Sequence, residues 1–213
     1  MKYRNLIFDL DGTLWDSRET IIKNWNQILI PDFLENPLRI EDISPYMGLL
    51  AKDVLRDIIP GISENEIENI LSKITQNEGK SIRENGGILY ENVIESLKKL
   101  KESFDLFIVS NAQDGYIEAF LEYFHIQDYF KDFESHGKTG KNKTENIGSL
   151  MERNNLTSKE TVYIGDTETD YISAKENNLD FIFCEFGFGK LNNTLGIKRI
   201  SVFSDLLKIG IQY

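Results

Sequence analysis

Asp9 and Asp11 lie one residue apart, between the apolar run Leu6-Ile7-Phe8 and a glycine, in the stretch Phe8-Asp9-Leu10-Asp11-Gly12-Thr13-Leu14. The apolar run reads as a buried parallel strand, and side chains at i and i+2 of an extended segment project to the same side. The two carboxylates are therefore expected to converge. Like charges that close repel unless a cation or a proton stands between them, which points to a hard metal such as Mg²⁺ with oxygen ligands. Taken alone, the stretch also fits an Asp-Gly turn that caps the next helix.

Three further stretches bear on that choice. The run Phe104-Asp105-Leu106-Phe107-Ile108-Val109 ends in Ser110-Asn111, and a serine after a strand is otherwise a cap or turn residue. Lys138, Lys141 and Lys143 lie in a polar segment before the helix-like stretch 144–154, where a surface loop would carry lysines equally well. Thr161-Val162-Tyr163-Ile164 reads as a strand running into Gly165-Asp166-Thr167-Glu168-Thr169-Asp170.

Together these stretches resemble, in order, the four motifs of the haloacid dehalogenase (HAD) superfamily: DLDGTL, a strand-end serine, a lysine before a helix, and GDxxxD. The resemblance implies an aspartate nucleophile acting mostly on phosphate esters. Asp9 would attack phosphorus in line and form an aspartyl-phosphate, the covalent route open to carboxylates. Asp11 would protonate the leaving oxygen and then activate water. Ser110, Asn111 and Lys143 would stabilise the phosphoryl oxygens, with backbone N–H groups of Leu10, Asp11 and Asn111 as added donors. Lys143 fits the motif position best and Lys141 is the reserve, while Lys138 is read as a surface residue. Mg²⁺ would be held by the Asp9 carboxylate, the Asp11 carbonyl and Asp166. Asp170 would stand in the metal's outer shell, with Glu168 as another outer or capping acid. Thr13 would tether the motif loop.

Spacing yields the framework. Strand-like runs at 4–9, 104–110, 161–165 and 180–184 alternate with helical periodicity at 91–101, 114–124, 144–154 and 170–177. Such alternation predicts an α/β fold, a doubly wound parallel sheet with Asp9, Ser110 and Asp166 at strand C-terminal ends, where open α/β sheets place ligands. A last edge strand is expected at 200–203 and a short helix at 204–208.

Between the first motif and the next core strand lie about 70 residues with three apolar stripes at helical spacing: Ile21 to Leu29, Val54 to Ile59, and Ile67 to Ile74. All four prolines fall between or beside these stripes, and Ser63 with Glu66 forms a candidate capping box. The segment resembles the α-helical cap domain of the phosphoglycolate phosphatase-like branch. The expected division is a Rossmann-like core of residues 1–15 and 87–213 and a cap of 16–86, hinged at Asp16-Ser17 and Gly86-Gly87. Tyr46 to Lys52 resembles the cap segment that faces the site. Ala51 stands where related sugar phosphomutases carry an arginine, which disfavours a mutase, with Lys52 or Arg56 as the substitutes available.

Composition narrows the context. The 213 residues suffice for a core plus one inserted domain, and a net charge of −11 argues against nucleic-acid binding. Cys184, the single cysteine, sits in an apolar strand and excludes an internal disulfide. His125 and His136 lack the spaced partners of a zinc site. Phe186-Gly187-Phe188-Gly189 reads as a packed turn or, from its position in relatives, a loop near the site. No leader or membrane-length apolar run is evident, so a cytoplasmic location and no membrane partner are expected. The expected function is a Mg²⁺-dependent phosphatase acting on a small phosphorylated metabolite. A phosphomutase or phosphonatase on the same core, and a non-catalytic binding module, are the alternatives.

Overall fold

The computed structural model describes residues 2–191 and 196–209; the remaining positions of the expected core segment, 1, 192–195 and 210–213, lie outside the described residues. The strands among these are β1 (Asn5–Phe8), β2 (Trp15–Asp16), β3 (Ile88–Leu89), β4 (Asp105–Ser110), β5 (Asp132–Ser135), β6 (Thr161–Gly165), β7 (Asp180–Cys184) and β8 (Lys198–Ile200). Six of them form a parallel sheet in the order β5-β4-β1-β6-β7-β8. The register sets Phe8 beside Ile108 on one side and Ile164 on the other.

The helices of the insertion are α1 (Arg18–Leu29), α2 (Ile40–Ile43), α3 (Ala51–Ile58) and α4 (Glu64–Asn85). Those that follow are α5 (Val93–Leu100), α6 (Tyr116–Phe124), α7 (His136–Thr139), α8 (Lys143–Arg153), α9 (Glu168–Glu176) and α10 (Leu206–Ile209). The sheet's two faces sort by the period of two. Leu6, Phe8, Leu106, Ile108, Val162 and Ile164 join Leu97 of α5 and Phe120 of α6 in one cluster. Ile7, Phe107, Val109 and Tyr163 join Ile147 of α8 and Ala174 of α9 in another. Strands covered on both faces must be continuously apolar, which is why the run 6–8 shows no polar alternation. Each such side chain, fully buried like Ile7, contributes about 1.5–3 kcal/mol by leaving water.

A third cluster, Trp25, Leu29, Val54, Leu55, Ile67, Ile70 and Ile74 among its members, is drawn entirely from the insertion. The helix α4 starts on a reciprocal capping box, in which Glu66 N donates to Ser63 Oγ at 3.3 Å and Ser63 N donates to Glu66 Oε2 at 2.9 Å. The two crossings into and out of the insertion are not independent strands of chain. The ribbon β2-β3 pairs Trp15 with Leu89 and Asp16 with Ile88. Gly86, at φ +62°, ends α4 by donating its N–H to Ile82 O at 2.7 Å.

The carboxyl end of the chain differs from the expected 200–203 strand. Its strand is Lys198–Ile200, and Phe203 instead turns inward, its ring centroid 5.9 Å from that of Phe8. A chain that remained in the sheet could not place Phe203 under β1.

Candidate active site

Asp9 immediately follows β1, Ser110 ends β4 and Asp166 immediately follows β6, so three adjacent strand ends present their side chains at one edge. Asp9 keeps its place because its own N–H donates to Ile164 O at 2.8 Å, one step beyond the formal ladder. The sheet order reverses direction around β1, which makes this edge the crevice of a doubly wound fold.

Lys143 enters from the first position of α8. Asn142 caps that helix, its Oδ1 accepting from Glu145 N at 2.9 Å, and this fixes where Lys143 begins. The lysine is 2 % exposed, and its Nζ donates to Asp9 Oδ1 at 2.7 Å and to Asp170 Oδ1 at 2.6 Å. Burial works against its charge, but Asp170 and Asp9 outweigh burial and raise its pKa. Lys141 instead reaches Ser149 Oγ at 3.0 Å on the surface, and Lys138 lies over the Phe133 ring.

Asp170 serves two groups with its two oxygens. Its Oδ2 accepts from Thr167 N at 3.0 Å and Thr167 Oγ1 at 2.7 Å, closing a capping box with its own N–H, which donates to Thr167 Oγ1 at 3.2 Å. Its Oδ1 faces Lys143. One residue thus starts α9 and fixes the lysine.

Asp166 is held from the loop 186–189, where Phe188 N and Gly189 N donate to its Oδ2 at 2.7 and 3.2 Å. That loop packs against the site and cradles an aspartate. A Cβ on Gly187 would lie 2.3 Å from Asp166 Cβ, and one on Gly12, at φ +88°, would lie 2.3 Å from Asp166 Oδ2. Both glycines are required by that approach. Thr13 Oγ1 stands 3.4 Å from Asp166 Oδ1, so its link is to this acid.

Asp9, Asp166 and Asp170 each bring an oxygen within 4.8 Å of the others. Three buried acids facing one lysine leave negative charge uncompensated. Burial, then Asp170, pushes the pKa of Asp9 well up and that of Asp166 to about 7. Oxygen donors in a buried, electron-rich cluster suit a hard divalent cation. The residues present therefore fit such an ion.

The Asp11 carboxylate does not join that cluster. The strand β1 stops at Phe8, and Leu14 N donates to Leu10 O at 2.9 Å in a turn, so the period of two ends before Asp11. Its Oδ1 accepts from Trp15 Nε1 at 3.0 Å, from Tyr116 OH at 2.7 Å and from the Ser17 hydroxyl. Burial raises its pKa, and Ser17, Tyr116 and Trp15 oppose that rise. Sequence reasoning did not assign Trp15, Ser17 or Tyr116 to the site. Ser17 was visible only as part of a hinge and Tyr116 only as part of an apolar helix.

Ser110, 3 % exposed, lines the same cavity as Asp9, Asp11 and Lys143, as does Asn111. Asn111 Nδ2 donates to Gly48 O at 2.8 Å, which ties the strand end to the 46–52 segment of the insertion. Across the cavity stand Ile21, Ile43, Met47, Val54 and Ile74, together with Trp25 and Glu78. Counting its open mouth, the cavity encloses about 640 Å³ of empty space. Lys52 and Arg56 do not line it; Arg56 pairs with Asp53 and Glu64 at 2.8 Å each.

A doubly wound sheet with an acid-lysine cluster at its switch point is the arrangement of an α/β protein whose site lies in the sheet crevice. The family model described as haloacid dehalogenase-like hydrolase matches residues 6–184, and the chain belongs to that family. It is 28 % identical over 193 residues to a phosphoglycolate phosphatase of Colwellia psychrerythraea, covering 86 % of this chain and 84 % of that one. It is 31 % identical over 184 residues to the pyrophosphatase PpaX of Listeria welshimeri, covering 82 % and 79 %. The crystal structure of a predicted phosphatase from Clostridium acetobutylicum superposes with a TM-score of 0.84 over all of both chains, at 25 % identity.

Proposed function

We propose that the protein is a Mg²⁺-dependent phosphatase that hydrolyses a small phosphate monoester through an aspartyl-phosphate on Asp9. The observation that carries this reading is the buried Lys143, clamped between Asp9 and Asp170 beside the Ser110 strand end. Lys143 orients the Asp9 carboxylate and remains charged, so it offers a fixed positive group to the oxygens of a phosphoryl group. The Ser110 hydroxyl and the amide N–H of Asn111 add neutral donors. Asp9 is the nucleophile, since it is the first aspartate of the DLDGTL motif and Lys143 fixes its carboxylate at the end of β1. Asp11, held by Trp15, Ser17 and Tyr116, gives its proton to the leaving oxygen and later takes one from water. Mg²⁺ would be held by Asp9, Asp166 and the Asp11 carbonyl, with Asp170 behind them; when bound it supplies charge neutralisation for the attacking and transferred oxygens.

Residues 16–86 act as a cap over a core of 1–15 and 87–213, joined through the β2-β3 ribbon. In support, their apolar cluster is their own and their side chains close one wall of the cavity. The test is phosphate release from p-nitrophenyl phosphate with Mg²⁺ and with chelator, for wild type and Asp9→Asn. Release that needs both Mg²⁺ and Asp9 supports the reading; equal release by Asp9→Asn overturns it.

A further inference from the structure

The cavity's two walls differ in what they leave unsatisfied. On the cap wall Trp25 is 4 % exposed, and its indole Nε1 is buried without a hydrogen-bond partner. Leaving a buried donor unpaired costs about 1–3 kcal/mol, so such a group marks a place where a ligand atom is expected. Glu78 of α4, 6 % exposed, lines the same cavity next to Trp25 and among the aliphatic side chains of α1, α3 and α4. The indole N–H lies near enough to Glu78 to favour its ionised form, while remaining outside hydrogen-bond distance of any acceptor. A residue with an unpartnered donor and a residue with a carboxyl therefore line the cavity that the organic part of a phosphate ester would occupy.

Charge on the walls is as informative. Among the described lining residues Lys143 is the one cation, and Asp9 and Asp170 already hold it. Asp9, Asp11 and Glu78 are the acids. A substrate carrying a second anionic group would bury that charge with no cation to pair it, at a cost of several kcal/mol. An ammonium group could donate to Glu78 but could accept nothing from Trp25 Nε1. A hydroxyl does both, accepting from the indole N–H and donating to a Glu78 oxygen, whichever protonation state Glu78 holds.

We propose that Trp25 and Glu78 form the leaving-group subsite, and that the substrate is the phosphate monoester of a small hydroxyl-bearing alcohol with no second anionic group. This rests on the phosphatase reading above and adds to it the chemistry of the alcohol. It separates this chain from the substrates named for its phosphoglycolate phosphatase and pyrophosphatase relatives, each of which carries a second anionic group.

The experiment measures kcat/KM for glycerol phosphate, ethanolamine phosphate, phosphoglycolate, pyrophosphate and p-nitrophenyl phosphate, in wild type, Trp25→Phe, Glu78→Leu and Glu78→Gln. Glycerol phosphate should exceed the ammonium and both anionic substrates by about tenfold or more, the scale set by one unpaired buried polar group. Trp25→Phe and Glu78→Leu should each lower the ratio of glycerol phosphate to p-nitrophenyl phosphate by about tenfold, and Glu78→Gln, which can still accept and donate, should lower it less. Thermal melts of each variant separate loss of fold from loss of contact. Phosphoglycolate, pyrophosphate or ethanolamine phosphate turned over as well as glycerol phosphate overturns the proposal, as does an equal loss on all substrates in the variants. If p-nitrophenyl phosphate itself shows no Asp9-dependent release, the phosphatase reading falls, and that result is distinct from the other two.

Discussion

The core wall and the cap wall of the cavity are built on opposite plans. On the core wall, the charged side chains are cross-linked: Lys143 to Asp9 and Asp170, Asp170 to Thr167, Asp166 to the amides of Phe188 and Gly189. On the cap wall, an apolar surface carries one carboxyl and one unpartnered indole N–H. A network whose members fix one another positions a reaction. A wall with loose polar ends discriminates among ligands, because its groups are satisfied only by a ligand that matches them. In the proposed reading, chemistry and selectivity reside on different segments of the chain. Substitutions on the first wall should remove turnover on every ester, and those on the second should re-rank esters.

That division can be broken at several points. Asp9→Asn should lower kcat by about 10³-fold or more on all substrates while the protein stays folded, read by steady-state phosphate release and a thermal melt. Lys143→Ala should cost about 10²–10³-fold in kcat, the usual loss for one donor to a developing anion. It should also weaken folding, because Asp9 and Asp170 would then be left without their lysine.

Glu78 tests the cap wall through stability. Burial, then Asp11, pushes its pKa from an ordinary 4.5 up to about 8. Between those values the folded state binds more protons than the unfolded one, so stability falls as pH rises from 4.5 towards 8. The linked free energy is on the order of 3–5 kcal/mol at the upper end. Denaturation of wild type against Glu78→Gln should show a difference that grows across this window. A difference independent of pH would contradict it.

Tyr116→Phe removes one of the donors on Asp11 Oδ1 and should reduce kcat by about tenfold with little change in KM, since its hydroxyl acts through Asp11. A change confined to KM would instead put Tyr116 against the substrate. Lys141→Ala, which loses only the surface contact to Ser149, should stay within about twofold of wild type in kcat/KM.

Much of the core was legible because its signals are local and strong. The runs at 6–8, 106–109 and 162–164 are apolar on both faces, and only a strand between helix layers needs that. The strand β5 gave no such signal: Asp132-Phe133-Glu134-Ser135 has one apolar residue in four and lies at the sheet edge. Its acids are met from outside by Arg153, whose Nε lies 2.6 Å from Asp132 Oδ2. The β2-β3 ribbon joins positions over 70 residues apart and is only two residues long on each side, too short for a pattern.

Within the candidate site, Asp9, Ser110, Lys143 and Asp166 were readable from motif order. Their couplings were not, because Lys143 and Asp170 meet only after α8 and α9 pack together. The i, i+2 argument for Asp11 assumed a strand that continues, whereas the chain turns at Leu10 to Leu14. The Trp25 and Glu78 subsite was invisible for a similar reason. Each reads as part of a helix, and the cavity they share exists only once the cap helices stand over the sheet edge.

The most direct test of a covalent role for Asp9 is the stereochemical course at phosphorus, measured with a phosphorothioate monoester made chiral by two oxygen isotopes and hydrolysed in water of the third, so that the inorganic thiophosphate released is itself chiral. Two in-line displacements, by Asp9 and then by water, predict net retention of configuration. Net inversion would mean a single attack by water and would contradict Asp9 as nucleophile.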